Sequence, residues 1–532
     1  MTARIRFIQL VSMLFATLLF ASAAAISLPQ PASAATYTPI SGTGSTWSQN
    51  ALDQWRKNVS TNYSMTVNYS GNGSSAGRRD FIAGTVDYAV SEIPFQMAPE
   101  DGSAPEKPPR GFAYMPIVAG GTSFMYNLKI GGKRVTNLRL GGETVTKIFT
   151  GKITNWNDPQ IAADNPGLAM PNKPIVPVVR SDGSGSTAQF TLWMSKQFPS
   201  LWQQFSGREG LTSQYPVKGA AKAQSGSLGV AGYVSQNYGE GAITYVEYSY
   251  ALKSGFPVVK VLNSSGYYVE PTAPSVAVAL LKAQINTDSA SDKFLTQILD
   301  GVYNNGDKRT YPLSSYSYLI VPTEVGGIFN AAKGNTLGTF ASYMLCEGQQ
   351  QAAALGYSPL PMNLVLAGFD QIKRIPGANG ANVDPNACNN PTFTKGDSPS
   401  SNRLAASAPQ PAACDKQGPD QCTSGTGGAA GTATPTTGTG KGGTASNAPA
   451  TSTGDAGSTG DSAGPSDTAG QLSATGTSSA GSAISTPYTL AGSGWGAGQF
   501  LLLGAGAFLV AVVVLPALLS PRLKKSGGSA DK

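Results

Sequence analysis

One local design recurs three times in this sequence: an apolar run, a turn of small residues, and the start of a helix. S-G-T-G-S-T-W (41–47) leads into a stretch where Ala51, Leu52, Trp55 and Val59 share one helical face. G-N-G-S-S-A-G (71–77) follows M-T-V-N-Y (65–69), which alternates like a strand, and precedes Phe81 and Ile82. R-S-D-G-S-G-S-T (180–187) follows the apolar strand I-V-P-V-V (175–179) and precedes Phe190, Trp193, Met194 and Phe198 at helical spacing. A-I-T-Y-V (242–246) and Y-L-I-V (318–321) read as further strands. Strands that alternate with helices point to an α/β fold with a largely parallel sheet. The span that carries the pattern, 36–395, is long enough for two such lobes.

The turns also carry chemistry. A helix start leaves backbone N–H groups unpaired and bears partial positive charge. Glycine lets the backbone approach a ligand closely, and Ser and Thr add hydroxyl donors without bulk. At any one of these turns, N-capping accounts for the Ser or Thr. Three turns converging would instead make a cage of donors for an oxyanion, with Arg180 as a fixed charge whose planar fork suits phosphate.

Several other functions are excluded. The chain has no histidine, so a Ser-His-Asp or Cys-His nucleophile cannot be assembled, and zinc loses its commonest ligand. The G-x-S-x-G match at 73–77 is therefore a coincidence, and no G-x-x-x-x-G-K-[ST] phosphate loop occurs. The net charge of +7 is spread along 532 residues, which argues against nucleic acid as a partner. We expect a binding protein and not an enzyme, with no cofactor and no metal.

Both ends read as targeting signals. Arg4 and Arg6 precede an apolar run that ends in small residues at Ala32 and Ala34, so 1–34 reads as a secretory signal peptide. Residues 500–519 (FLLLGAGAFLVAVVVLPALL) are long and apolar enough to span a bilayer. Arg522, Lys524 and Lys525 follow, which places the basic tail, 520–532, in the cytoplasm and the rest outside. Between them, 396–489 is rich in Gly, Ser, Thr, Ala and Pro with almost no large apolar residue and reads as a disordered spacer. An exported chain with four cysteines is expected to form two disulfides; sequence leaves the pairing open, and we expect Cys346–Cys388 and Cys414–Cys422.

Y-S-G-N-G-S-S-A-G-R-R-D-F-I-A-G-T-V-D-Y-A-V-S-E-I-P-F (69–95), V-V-R-S-D-G-S-G-S-T-A-Q-F-T (178–191) and G-A-I-T-Y-V-E-Y-S-Y-A (241–251) closely resemble the periplasmic phosphate-binding proteins of ABC phosphate transporters. The segments 42–47, 144–158 and 311–322 are also similar to that family. The resemblance implies a two-lobed, type II-like periplasmic-binding-protein fold, a Venus flytrap with a hinge. Lobe 1 would cover about 36–122 and 318–395, and lobe 2 about 123–317, with crossings near 120–127 and 313–321. It also implies capture of inorganic phosphate and delivery to a permease and ATPase; the alternative is a tethered oxyanion sensor, scavenger or surface-interaction protein without transport. The implied anion ligands are Thr46, Trp47, Ser74, Glu92, Arg180, Asp182, Ser184, Gly185 and Ser186. At one of these positions the family has Asp and this chain has Glu92, one methylene longer, which is expected to crowd the site or shift a loop. The carboxylate matters because phosphate at neutral pH carries a proton and sulfate does not, and an acceptor discriminates between them. Asp87 is expected to orient a turn, and Trp156, Trp193 and Trp202 to be core.

Overall fold

The computed structural model describes residues 37–99, 102–291 and 293–434, together with the backbone of 442–443. The expected signal peptide, most of the spacer, the apolar segment 500–519 and the basic tail lie outside the described residues. Among the described residues, no helix is long and apolar enough to cross a membrane.

The first two turns lie where the pattern puts them. β1 (Ile40–Gly44) leads into α1 (Gln49–Tyr63), which buries Ala51, Leu52, Trp55 and Val59. β2 (Val67–Ser70) leads into α2 (Ser74–Ile82), and β3 (Tyr88–Ser91) ends just before Glu92. β4 (Phe112–Tyr126) is then unusually long and buried almost throughout. The third turn joins β5 (Val176–Arg180) to α3 (Gly185–Gln197). β6 (Lys222–Gln224) opens α4 (Gly226–Ser235), and β7 (Ala242–Glu247), α5 (Ala273–Leu280) and β8 (Ser314–Pro322) follow.

These eight strands form one continuous sheet in the order β2-β1-β3-β8-β4-β7-β5-β6. β1, β2 and β3 pair in parallel in lobe 1, and β5, β6 and β7 pair in parallel in lobe 2. The two central strands depart from the expected parallel sheet. β8 runs antiparallel to both β3 and β4, and β7 runs antiparallel to β4. The reason is topological: β4 leaves lobe 1 and β8 returns to it, so they traverse the hinge in opposite directions. Residues 112–121 of β4 pair with β8, and residues 122–126 pair with β7. Trp156, Trp193 and Trp202 are core, as expected.

Composition assigns 396–489 to a spacer, but its first part, 396–434, belongs to the fold. The segment leaves lobe 1, where Thr392 Oγ1 donates to the Leu360 carbonyl at 2.7 Å, and crosses to lobe 2. The short helix α6 (Arg403–Ala406) packs its Ala405 against Ala277 and Val278 of α5. Lys260 Nζ donates to both oxygens of buried Asp415 at 2.8 and 2.9 Å. Arg139 Nη1 donates to the carbonyls of Cys414 (3.0 Å) and Asp420 (2.8 Å), and Thr136 Oγ1 donates to the Thr432 carbonyl at 2.7 Å. The disulfides are Cys346–Cys388 and Cys414–Cys422, as expected. A segment so poor in large apolar residues stays ordered because paired polar groups and a covalent loop replace apolar burial.

This pairing yields a stability prediction. Asp415→Ala leaves a buried ammonium unpaired and should lower unfolding free energy by about 3 kcal/mol in denaturant titrations. The double replacement Lys260→Met with Asp415→Leu should cost less than Asp415→Ala alone.

Candidate anion site

The Gly/Ser/Thr helix starts meet in the cleft between the lobes. From lobe 1, the β1–α1 turn brings Ser45, Thr46 and Trp47, the β2–α2 turn brings Ser74, and the end of β3 brings Glu92. From lobe 2, the β5–α3 turn brings Arg180, Asp182, Ser184, Gly185 and Ser186. All of these residues except Asp182 are buried, and Glu92 is fully inaccessible.

Two linked clusters result. In the first, Arg180 Nε donates to Asp182 Oδ1 at 2.7 Å, a second guanidinium nitrogen bonds Asp182 Oδ2, and Nη1 reaches Ser227 Oγ at 3.4 Å. The Gly226 N–H also donates to Asp182 Oδ1 at 2.9 Å. Burial pushes the Asp182 carboxyl up, but the hydrogen bonds and charge of Arg180 outweigh it and hold it below the usual carboxylate range. Thr46 Oγ1 lies 2.9 Å from Ser227 Oγ and accepts from the Ser227 N–H at 3.1 Å, which joins the lobes.

The second cluster surrounds Glu92. Ser74 Oγ donates to its Oε2 at 2.7 Å, while Ser45 Oγ and Ser317 Oγ (2.6 Å) donate to its Oε1. The Gly185 N–H donates to Ser74 Oγ at 3.2 Å, again across the cleft. A Cβ at position 185 would overlap Glu92 Oε2, so glycine is required for this approach. Gln189 Nε2 donates to the Glu92 carbonyl at 2.8 Å, and the Ser75 N–H donates to the Gly183 carbonyl at 3.1 Å. A cavity of about 600 Å³ lies beside this closure, lined in part by Ser75, Arg78, Arg79, Asp182 and Gln214.

Thr46, Ser74, Glu92, Arg180, Asp182 and Gly185 therefore come together. Two of the other expected ligands make local hydrogen bonds instead. The Trp47 N–H goes to Ser45 Oγ at 2.9 Å, and its ring packs on Gly120 at the hinge. Ser184 Oγ caps α3 by accepting the Thr187 N–H at 3.2 Å. The Ser186 hydroxyl is buried and has no hydrogen-bond partner among the described residues. Asp87 accepts from the Ser41 N–H and from Lys333 Nζ, both at 2.8 Å, and meets no site residue. Ser45, Ser227 and Ser317 are part of the arrangement without having been anticipated. Ser227 was findable, because Q-S-G-S (224–227) follows a strand and opens a helix like the other turns. Ser317 lies inside a strand and carries no local signal.

The PBP superfamily domain matches residues 29–347 of this chain. The phosphate-binding protein PstS of Xylella fastidiosa (strain Temecula1) is 32% identical over 329 residues, covering 61% of this chain and 82% of that protein. The chain belongs to this family. PstS of Methanocaldococcus jannaschii is 30% identical and covers 63% of this chain and 86% of its own length. Among solved structures, a high affinity periplasmic phosphate-binding protein bound with phosphate aligns with a TM-score of 0.49 at 21% identity, over 62% of this chain and 92% of that one. Membership makes the chain a two-lobed α/β binding protein and not an enzyme.

One buried carboxyl in the hinge belongs to neither cluster. Glu247, at the end of β7, is fully buried, and burial pushes it well above the usual range despite hydrogen bonds from Ser249. A carboxyl raised in the folded state adds stability at low pH, and that contribution is lost as pH rises through its folded value. Glu247→Gln, neutral at every pH, should be more stable than wild type at about pH 8, with the gap closing toward about pH 4 in thermal melts.

Proposed function

We propose that this chain captures inorganic phosphate outside the cell and delivers it to the permease and ATPase of an ABC importer, held near the membrane by the apolar segment 500–519. The observation that carries the reading is that one fixed cation, Arg180, held by Asp182, and one buried carboxylate, Glu92, held by serines, both sit where the two lobes meet. Arg180 meets the anion's charge, and the hydroxyls of Thr46 and Ser186 meet its oxygens without adding charge, while Ser74 and Gly185 hold the Glu92 carboxylate beside them. Asp182 holds the guanidinium fork in register. Glu92 accepts from an anion that still carries a proton and repels one that does not. The relatives named phosphate-binding proteins support the same substrate. Closure of the lobes about β4 and β8 buries the ion, as in other hinged binding proteins. A membrane tether raises the local concentration of the loaded protein at its permease.

Calorimetric titration with phosphate, arsenate and sulfate tests this reading. Heat is expected with phosphate and arsenate and little with sulfate; no heat with phosphate rejects it. Arg180→Ala should weaken phosphate binding about a hundredfold. Arg180→Lys, which keeps the charge but loses the fork, should cost about tenfold.

A further inference from the structure

We propose that Ser45 and Ser317 are positioning residues that make Glu92 an obligate proton acceptor and leave it a single open lone pair, on Oε2. The inference deepens the phosphate reading and rests on it.

The argument is a count of protons. Ser45 Oγ accepts the N–H groups of Trp47 (2.9 Å) and Ser48 (3.3 Å), so its own hydroxyl proton goes to Glu92 Oε1. Ser74 Oγ accepts the Gly185 N–H at 3.2 Å, so its proton goes to Oε2. Ser317 Oγ lies 2.6 Å from Oε1 and 3.3 Å from Ser48 Oγ, and its one proton goes to the nearer, charged acceptor as a second donor to Oε1. An ionised carboxylate has about four lone-pair sites, two per oxygen. Oε1 is therefore saturated, and Oε2 keeps one site, beside Ser74 and Gly185. Only a ligand that brings a hydrogen-bond donor fills it.

The strand geometry places Ser317 for this work. The ladder between β8 and β4 slips one residue between Ser317 and Tyr318, passing over Ile117. Such a bulge re-aims the side chain beside it. The Ile117 carbonyl, displaced from the ladder, accepts from Gln349 Nε2 at 2.8 Å, so the irregularity is satisfied within the core. The longer glutamate and these two serines form one unit: the extra methylene lets Oε1 reach Ser317 on β8.

The test is a double-mutant cycle on the full-length chain, titrated with phosphate and sulfate. Ser317→Ala should weaken phosphate binding about tenfold and leave sulfate unchanged, with a lowered thermal midpoint in the absence of phosphate because a buried acceptor loses a donor. Ser45→Ala should act in the same direction, and Ser317→Thr, which keeps the hydroxyl, should restore most of the loss. In a Glu92→Asp background the shorter side chain no longer reaches β8, so adding Ser317→Ala should cause no further loss. A folded Ser317→Ala variant that binds phosphate within about twofold of wild type overturns the proposal, as does an equal loss in the Glu92→Asp background. A wild-type chain that gives no heat with phosphate overturns the phosphate reading and this proposal together. If Ser317→Ala does not fold, the Ser45→Ala arm decides by the same criteria.

Discussion

The antiparallel pairing of β4 with β8 is the constraint on which the rest of the molecule depends. β4 is buried almost from end to end, so its peptide groups must find partners on both edges. β8 and β7 supply them in turn, one in each lobe. That division joins the parallel strands of lobe 1, through β8, to those of lobe 2, through β7. It also fixes where the helix starts of the two lobes meet, because parallel strands present their following helices at the same end. The hinge and the site are thus two consequences of one ladder.

The site handles charge sparingly. Arg180 is matched by Asp182, and Glu92 is surrounded by neutral hydroxyls and not by a cation. A buried carboxylate paired with a second cation would lose its ability to reject anions that lack a proton, since the pair would be neutral. Serine donors satisfy its oxygens without adding a cation. Oε1 of Glu92, carried out by the extra methylene, is held by Ser45 and Ser317.

Residues 396–434 show where composition misleads. Low apolar content points to a spacer because apolar burial is the usual means of offsetting the entropy of ordering. Here Lys260–Asp415, the carbonyl contacts of Arg139 and the Cys414–Cys422 loop do that work. The two cysteines inside the low-complexity stretch were the available warning. The segment's place in the fold was legible only once Lys260 and Arg139, more than a hundred residues earlier in the chain, were in place.

What the sequence by itself determined is local. Small-residue turns after apolar strands dictate helix starts with free N–H groups, and the absence of histidine removes whole classes of catalysis; both follow from the chemistry of neighbouring residues. The motifs 69–95 and 178–191 also carried the family and most of the site. Tertiary structure decided what depends on strand pairing across long separations. The antiparallel centre of the sheet, the Ser227 bridge between lobes and the aim of Ser317 at Glu92 are set by register, and a hydroxyl in mid-strand carries no mark of the partner it will face until the ladder places it there.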